Sequence, residues 1–74
     1  MSHTIPGLRS EEIDHILRRH GFEMISQHGS HQKWRNTVNR KQVIVPFHKG
    51  RQLPTGTVRS IIHGSGIPVE QFAA

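Results

Sequence analysis

The stretch that decides the fold of this 74-residue chain is Gln27-His28-Gly29-Ser30-His31-Gln32-Lys33-Trp34-Arg35. It brings together two histidines, two cations, a hydroxyl and the single tryptophan of the chain. Glycine accepts a positive φ, so His28-Gly29 predicts the two-residue turn of a β-hairpin. The stretch therefore serves at once as a structural turn and as a candidate site of chemistry.

A strand is predicted after this turn, from Ser30 or His31 to Arg35. Successive side chains of a strand point to opposite faces, so His31 shares one face with the two cations Lys33 and Arg35. Gln32 and Trp34 share the other face, and we expect Trp34 to pack under helices. His31, Lys33 and Arg35 are then expected to face outward together.

An amphipathic helix is predicted before the hairpin, from about Glu11 to His20. Ser10 is a suitable N-cap, and Gly21 is suited to the position just past the end. Acidic residues in the first turn meet the positive end of the helix dipole. The apolar stripe at i, i+3, i+4 spacing consists of Ile13, Ile16 and Leu17.

Two more strands are predicted, one before and one after the strand that contains His31 in the sequence. The first runs from Phe22 to Gln27, and the third runs from Lys41 or Gln42 to Pro46, after the turn-forming residues Asn36 to Arg40. The third strand carries Val43-Ile44-Val45, which is apolar on both faces. Alternation therefore leaves open which of its sides faces the core.

The remainder of the chain predicts a basic loop, a second helix and a short tail. The loop runs from Phe47 to Leu53, and the helix begins around Pro54, a residue suited to a first turn. Its apolar stripe is Val58, Ile61 and Ile62, and Gly64-Ser65-Gly66 ends it. After the break at Ile67-Pro68, a turn from Val69 to Phe72 is expected to add Phe72 to the core. The element order is thus α-β-β-β-α.

Length and composition limit the fold and the compartment. A chain of 74 residues predicts one domain over 1–74, with a flexible lead-in at 1–8 and a short tail at 67–74. There are no cysteines, which excludes disulfides and thiolate metal sites. No apolar run approaches the roughly 18 residues of a membrane span, so a cytoplasmic location and no membrane partner are expected.

The charge distribution favours a polyanion or an acidic partner. The formal net charge is +5, and four of the five acidic residues lie before the hairpin turn. Between residues 29 and 65 there are no acids, and the cations there are Lys33, Arg35, Arg40, Lys41, Lys49, Arg51 and Arg59. Such asymmetry is typical of nucleic-acid binding, although a basic surface kept for solubility is the alternative.

Four segments in this order resemble the HicA family, the toxins of bacterial and archaeal toxin–antitoxin pairs. They are His20-Gly21-Phe22, Gly29-Ser30-His31, Val45-Pro46-Phe47-His48 and Gly56-Thr57-Val58-Arg59-Ser60-Ile61-Ile62. The resemblance runs from about Ser10 to Gly66. It implies an α+β fold like the double-stranded RNA-binding domain, in which two helices pack on one face of a three-stranded antiparallel sheet.

The resemblance also implies an activity and a partner. It implies a metal-independent endoribonuclease that cleaves messenger RNA with a single histidine at His31, and a HicB-type antitoxin bound over the His31 face. Imidazole titrates near neutrality and can serve as general acid or base. Lys33 and Arg35, about 7 and 14 Å from His31 along the strand, are placed to contact phosphates.

Several other residues are candidates for the same site. Ser30 and Lys33 are candidate accessory residues, and His28 or His48 would supply a second titrating group, although each of these histidines is also explained as an ordinary turn or loop residue. Helix N-termini bind phosphate through free N–H groups. The expected RNA-binding residues are Lys33, Arg35, Lys49, Arg51, Thr55, Thr57 and Arg59.

The sequence is also compatible with two other functional classes, whereas it offers few ligands for a metal site. The spacing His28-x-x-His31 occurs in metal sites, but zinc usually takes three or four protein ligands. The chain has no cysteine and few acids near these histidines, so no metal or cofactor is expected. A non-catalytic RNA-binding module would carry the same basic surface. A pure interaction domain would use that surface to bind an acidic protein.

Overall fold

The computed structural model describes residues 5–73, and its elements follow the predicted order. They are α1 (Ser10–Arg19), β1 (Phe22–His28), β2 (His31–Asn36), β3 (Gln42–Pro46), α2 (Thr55–Ser65) and a 3₁₀ turn (Val69–Gln71). The three strands form one antiparallel sheet in the order β1-β2-β3. The prediction of an α+β fold with α-β-β-β-α order is confirmed.

The start of α1 differs from the prediction because Ser10 lies inside the helix and does not cap it. Arg9 occupies the N-cap position, and its backbone N–H donates to Oε1 of Glu12 at 2.8 Å. The buried Ser10 hydroxyl donates instead to the carbonyl of Pro46 at 2.8 Å and accepts from the backbone N–H of His48 at 3.3 Å. Ser10 therefore fastens α1 to the end of β3.

One core lies between the inner face of the sheet and the two helices. Trp34 from β2 is fully buried in it, as are the predicted stripe residues Ile13 and Leu17 of α1. The buried apolar residues are Leu8, Ile13, Leu17, Phe22, Trp34, Val43, Val45, Leu53, Val58, Ile61, Ile67 and Phe72. Ile16 and Ile62 are only partly buried and pack against this core.

The hairpin turn is displaced by one residue from its predicted place. His28 is the last residue of β1 and pairs with His31, so the turn is Gly29-Ser30 and the prediction of a His28-Gly29 turn was wrong. Gly29 adopts a φ of +58°, in the left-handed region that glycine tolerates best. A β-bulge at Ile25, between the pairs Met24–Trp34 and Ser26–Lys33, shifts the register upstream of the turn.

Pairing with β2 resolves which side of β3 faces the core. Val43 pairs with the buried Trp34, and Val45 is fully buried, whereas Ile44 is 46% exposed. β2 also extends one residue further than predicted, to the buried Asn36. The Asn36 amide donates to the carbonyl of His20 at 3.0 Å, and its oxygen accepts from the N–H groups of Val38 and Asn39.

Part of the predicted lead-in belongs to the core. Leu8 is buried, and its carbonyl accepts from the N–H of Leu53 at 2.8 Å. The first four residues of the lead-in lie outside the described residues. At the other end, the 3₁₀ turn buries Phe72, which confirms its predicted place in the core. α2 ends as predicted, with Gly66 in a left-handed conformation.

Candidate functional site

The outer face of β2 carries the residues that strand alternation placed there. His31 and Lys33 are exposed and Arg35 is half-buried, whereas Gln32 and Trp34 are buried against the helices. The helices pack on the inner face of the sheet, so the outer face, here called the open face, is presented to solvent over the described residues. A basic strip with a histidine at its head is thus the central feature of the open face.

The outer strands contribute a specific neighbour to each residue of this strip. On β1, Ser26 lies opposite Lys33 and Glu23 lies opposite Arg35. On β3, the residues paired with His31, Lys33 and Arg35 are Pro46, Ile44 and Gln42. Glu23 therefore offsets positive charge at the Arg35 end of the strip, while the His31 end carries no acid among its paired neighbours.

A second histidine lies directly across the hairpin from His31. His28 and His31 are the pair that closes the Gly29-Ser30 turn, and both are exposed. Directly opposite residues of antiparallel strands have Cβ atoms about 4.5–5.5 Å apart and point to the same face. The strand pairing therefore places His28 directly opposite His31 at the turn end of the open face.

Ser30 and the segment after β3 fix the position of the turn. The carbonyl of Ser30 accepts from the backbone N–H of Phe47 at 2.6 Å, which continues the β2–β3 pairing one step beyond Pro46. This hydrogen bond holds the turn from the β3 side, next to His31. Ser30 itself is half-buried at the head of the open face.

The basic loop is tied to the beginning of α1. The N–H of Gly50 lies 3.3 and 3.4 Å from the two carboxylate oxygens of Glu11, and Nε of Arg9 donates to the Gly50 carbonyl at 3.3 Å. Lys49 and Arg51 on either side of Gly50 are exposed. The loop therefore presents two cations near the end of the sheet where β3 finishes, and Glu11 offsets part of their field.

Thr57 near the start of α2 lies beside β3, whereas Arg59 of the same helix does not line the groove between them. Thr57 shares a shallow groove with Ile44 and Pro46 of β3. Arg59 lines a different depression, next to Ile62 and His63. Thr55 is exposed, and Pro54 before it has no side-chain acceptor, so the first N–H groups of α2 have no capping group from that residue. Of the predicted residues on α2, Thr57 lies near the sheet edge, Thr55 is exposed at the first position of the helix, and Arg59 lines a separate depression.

A buried polar network supports β2 from the inner side. The indole N–H of Trp34 donates to Oε1 of Gln32 at 3.2 Å, and the Arg18 guanidinium lies 5.0 Å from the centre of the Trp34 ring. Asp14 of α1 is buried, and within residues 5–73 its Oδ1 has no hydrogen-bond partner. Burial raises the pKa of Asp14 to about 6, against the opposing effects of hydrogen bonding from Gln32 and of the Arg18 charge.

Asp14 was not identified from the sequence as a buried acid, because an acidic residue near a helix N-terminus is ordinary. The available signal was its spacing, since Asp14 lies one residue after Ile13 and three before Leu17 and so shares their buried side. Its partner Gln32 is separated from it by 18 positions of sequence, and only the packing of α1 on the sheet brings the two together.

From residue 5 to residue 73, no three histidine, aspartate or glutamate side chains gather in a group that would hold a metal ion. In the same part of the chain, neither helix has the length and apolar character to cross a bilayer.

The chain is similar to a known protein family over most of its length. A family model described as HicA toxin of bacterial toxin-antitoxin matches residues 10–67, which is most of the chain. No curated protein gives a significant match. The matched range spans both helices, all three strands and the hairpin with His28 and His31.

Proposed function

This chain belongs to the HicA toxin family, the toxin side of toxin–antitoxin pairs, and on that premise we propose that it is a metal-independent endoribonuclease that cleaves messenger RNA. The observation that carries the proposal is the exposed His31 at the head of a basic strip on the open face. An imidazole can donate or accept a proton during phosphodiester cleavage without a metal, and neighbouring cations stabilise the charge that develops on the phosphate.

The proposed reaction uses the RNA as its own nucleophile. The 2′-hydroxyl oxygen attacks the adjacent phosphorus and loses its proton to a base, while the bond from phosphorus to the 5′-oxygen breaks and that oxygen gains a proton from an acid. The products are a 2′,3′-cyclic phosphate and a 5′-hydroxyl. We assign one of these two proton transfers to His31, because an imidazole can donate or accept a proton near neutral pH.

Lys33 and Arg35 are proposed to hold the phosphates of the bound strand. Their side chains follow His31 at alternate positions, about 7 Å apart along β2. Lys33 contacts the scissile phosphate or its neighbour, where a cation stabilises charge that builds up during the displacement. Arg35 holds a phosphate further along. Lys49 and Arg51 extend the positive surface beyond the hairpin end, and the first turn of α2, with Thr55 and Thr57, offers N–H groups to a further phosphate.

The family also implies an antitoxin partner, and we propose that it is a HicB-type protein that covers the open face. Burial of His31 under such a partner would exclude RNA from the site. The uncovered, positively charged strip is the surface of the sheet most suited to that contact. Addition of the antitoxin is accordingly expected to stop RNA cleavage.

The experiment that tests the activity compares purified wild type with His31→Ala in the presence of EDTA. Wild type is expected to cut a messenger RNA and leave cyclic phosphate ends, detected by mass spectrometry. His31→Ala is expected to lose about 10²- to 10⁴-fold in rate, the usual contribution of a general acid or base. His63→Ala, which removes an exposed histidine of α2, is the matched control and should cut at the wild-type rate. Equal rates for all three proteins would exclude His31 from catalysis.

A non-catalytic RNA-binding module is the alternative, and the same basic strip favours it. That module predicts RNA binding that weakens steeply as salt increases, because counterions are released from the phosphates. It predicts no products from wild type, with or without EDTA. Cyclic phosphate ends that accumulate in EDTA would dismiss this alternative.

A further inference from the structure

The residue that lies opposite His31 across the hairpin is itself a histidine, His28, and a β-bulge in β1 is what places it there. Strict alternation along β1 from the buried Phe22 would point His28 to the inner face, since both have even numbers. The bulge at Ile25 adds one residue and reverses that assignment for the rest of the strand. As a result Ser26 pairs with Lys33 and His28 pairs with His31, both on the open face.

We infer that His28 is the second catalytic residue, and that His28 and His31 divide the two proton transfers of RNA cleavage between them. This inference rests on the proposed function. In-line displacement needs a deprotonated base at the 2′-oxygen and a protonated acid at the 5′-oxygen, on opposite sides of the phosphorus. One imidazole cannot hold both protonation states at once, whereas two imidazoles can.

The geometry of the pair suits a phosphate held between the two rings. Directly opposite Cβ atoms lie about 4.5–5.5 Å apart, and the side chains rise from the same face, so two rings that diverge slightly can flank one phosphate group. The two-residue turn and the hydrogen bond from Phe47 N–H to the Ser30 carbonyl fix the backbone of the pair. Lys33, opposite Ser26, is the next charged residue along the open face and remains free to contact the phosphate oxygens.

His48 is the main rival for the second role, and the structure places it less well. The residue of β3 opposite His31 is Pro46, and His48 follows two residues later in the loop. Its backbone N–H bonds to Ser10 at the start of α1, which draws the segment toward the helix layer and away from the strand pairing. Among the other described histidines, His20 has its ring Nδ1 2.9 Å from the carbonyl of Ile16 in α1.

The leaving group provides a test of the division of roles. A site that wild type cuts is first mapped, and the same RNA is then made with sulfur in place of the bridging 5′-oxygen at that site. A thiolate leaves without a proton, so loss of the general acid no longer matters on this substrate, whereas loss of the general base still does. Rates are measured for wild type, His28→Ala, His31→Ala, His48→Ala and, as the control, His63→Ala.

On ordinary RNA, His28→Ala and His31→Ala are each expected to lose about 10²- to 10⁴-fold, while His63→Ala is unchanged. On the sulfur-containing RNA, one of the two impaired variants is expected to recover to within about tenfold of wild type and the other to stay slow. The recovered variant is the one that lacks the acid, and its recovery also proves that it is folded. The circular dichroism spectrum checks the fold of the variant that stays slow.

Three results would overturn the inference. The first is wild-type cleavage of ordinary RNA by His28→Ala. The second is a deficit of His28→Ala with no recovery of either hairpin variant on the sulfur substrate, which would give His28 a binding role only. The third is recovery of His48→Ala in place of a hairpin variant. Failure of the proposed function itself is distinct, because wild type would then release no cyclic phosphate ends from any RNA.

Discussion

Replacement of Asp14 by asparagine tests how the inner side of the sheet is stabilised. Asp14 is 5% exposed, and over residues 5–73 its Oδ1 lacks a hydrogen-bond partner. Burial of the charged form raises the pKa of Asp14 from 3.8 to about 6. Asparagine has nearly the same shape, keeps an oxygen that accepts from Gln32, and carries no charge. We therefore expect Asp14→Asn to stabilise the fold near neutral pH.

The size and sign of the effect follow from linkage between protonation and folding. The native state binds the proton of Asp14 more tightly than the unfolded chain does, so the carboxyl lowers stability progressively as pH rises from about 4 to above 6. The increase in pKa from 3.8 to about 6 corresponds to at most about 3 kcal/mol. The new amide N–H₂ of asparagine is also buried and offsets part of this gain. The expected net stabilisation by Asp14→Asn is about 1–2 kcal/mol above pH 7 and small near pH 4.

Thermal and urea unfolding, followed by circular dichroism at several pH values between about 4 and 8, measures this difference. For a domain of this size each kcal/mol shifts Tm by roughly 4–8 °C. Glu23→Gln is the matched control, because it removes an exposed carboxylate from β1 and should change stability by less than about 0.5 kcal/mol at every pH. If Asp14→Asn were less stable than wild type at pH 8, or differed by the same amount at all pH values, the charge of Asp14 would not be the destabilising group.

Two further predictions concern the open face and its turn. Arg35→Ala is expected to lower kcat/KM about tenfold on RNAs that extend two or more nucleotides past the cleavage site on one side, and to leave kcat/KM on the shortest substrates unchanged. Glu23→Gln should raise kcat/KM about twofold on the long RNAs. Equal effects at all RNA lengths would argue against an RNA strand bound along β2. Gly29→Ala should cost about 1–2 kcal/mol in urea unfolding because φ at Gly29 is +58°, although an added Cβ would meet nothing within 4 Å. Gly56→Ala in α2, where a Cβ is equally unobstructed, should be neutral or stabilising by up to about 1 kcal/mol, and a loss of stability there equal to that of Gly29→Ala would refute the conformational explanation.

Features that depend on local periodicity were predictable from the sequence. The helical spacing of Ile13 and Leu17 identified α1 and its buried side, and the alternation from His31 to Arg35 identified the outward residues of β2. Both patterns arise because a side chain's direction is set by its own element, whether helix or strand. Together with the turn-forming residues between the elements, these patterns predicted the order α-β-β-β-α and the basic strip headed by His31. The catalytic role of His31 stays a prediction.

Features that depend on contacts between elements were decided only by the tertiary structure. Pairing with β2 moved the hairpin turn to Gly29-Ser30 and placed Val45, rather than Ile44, in the core. Because α1 packs on the sheet, Ser10 does not cap the helix as expected, and its hydroxyl donates to the carbonyl of Pro46 at the end of β3. In each case the role depends on a partner in another element of the fold, so the pattern within a single element does not reveal it.

The nine residues from Gln27 to Arg35 show the division most clearly. On its own this stretch determined that a hairpin forms and that His31, Lys33 and Arg35 share one face of its second strand. It did not determine the face of His28, which depends on the bulge at Ile25, upstream of the stretch. A bulge depends on the register in which two strands pair, so its position cannot be predicted from the pattern of one strand. The pairing of two histidines on the open face is therefore a product of the folded sheet.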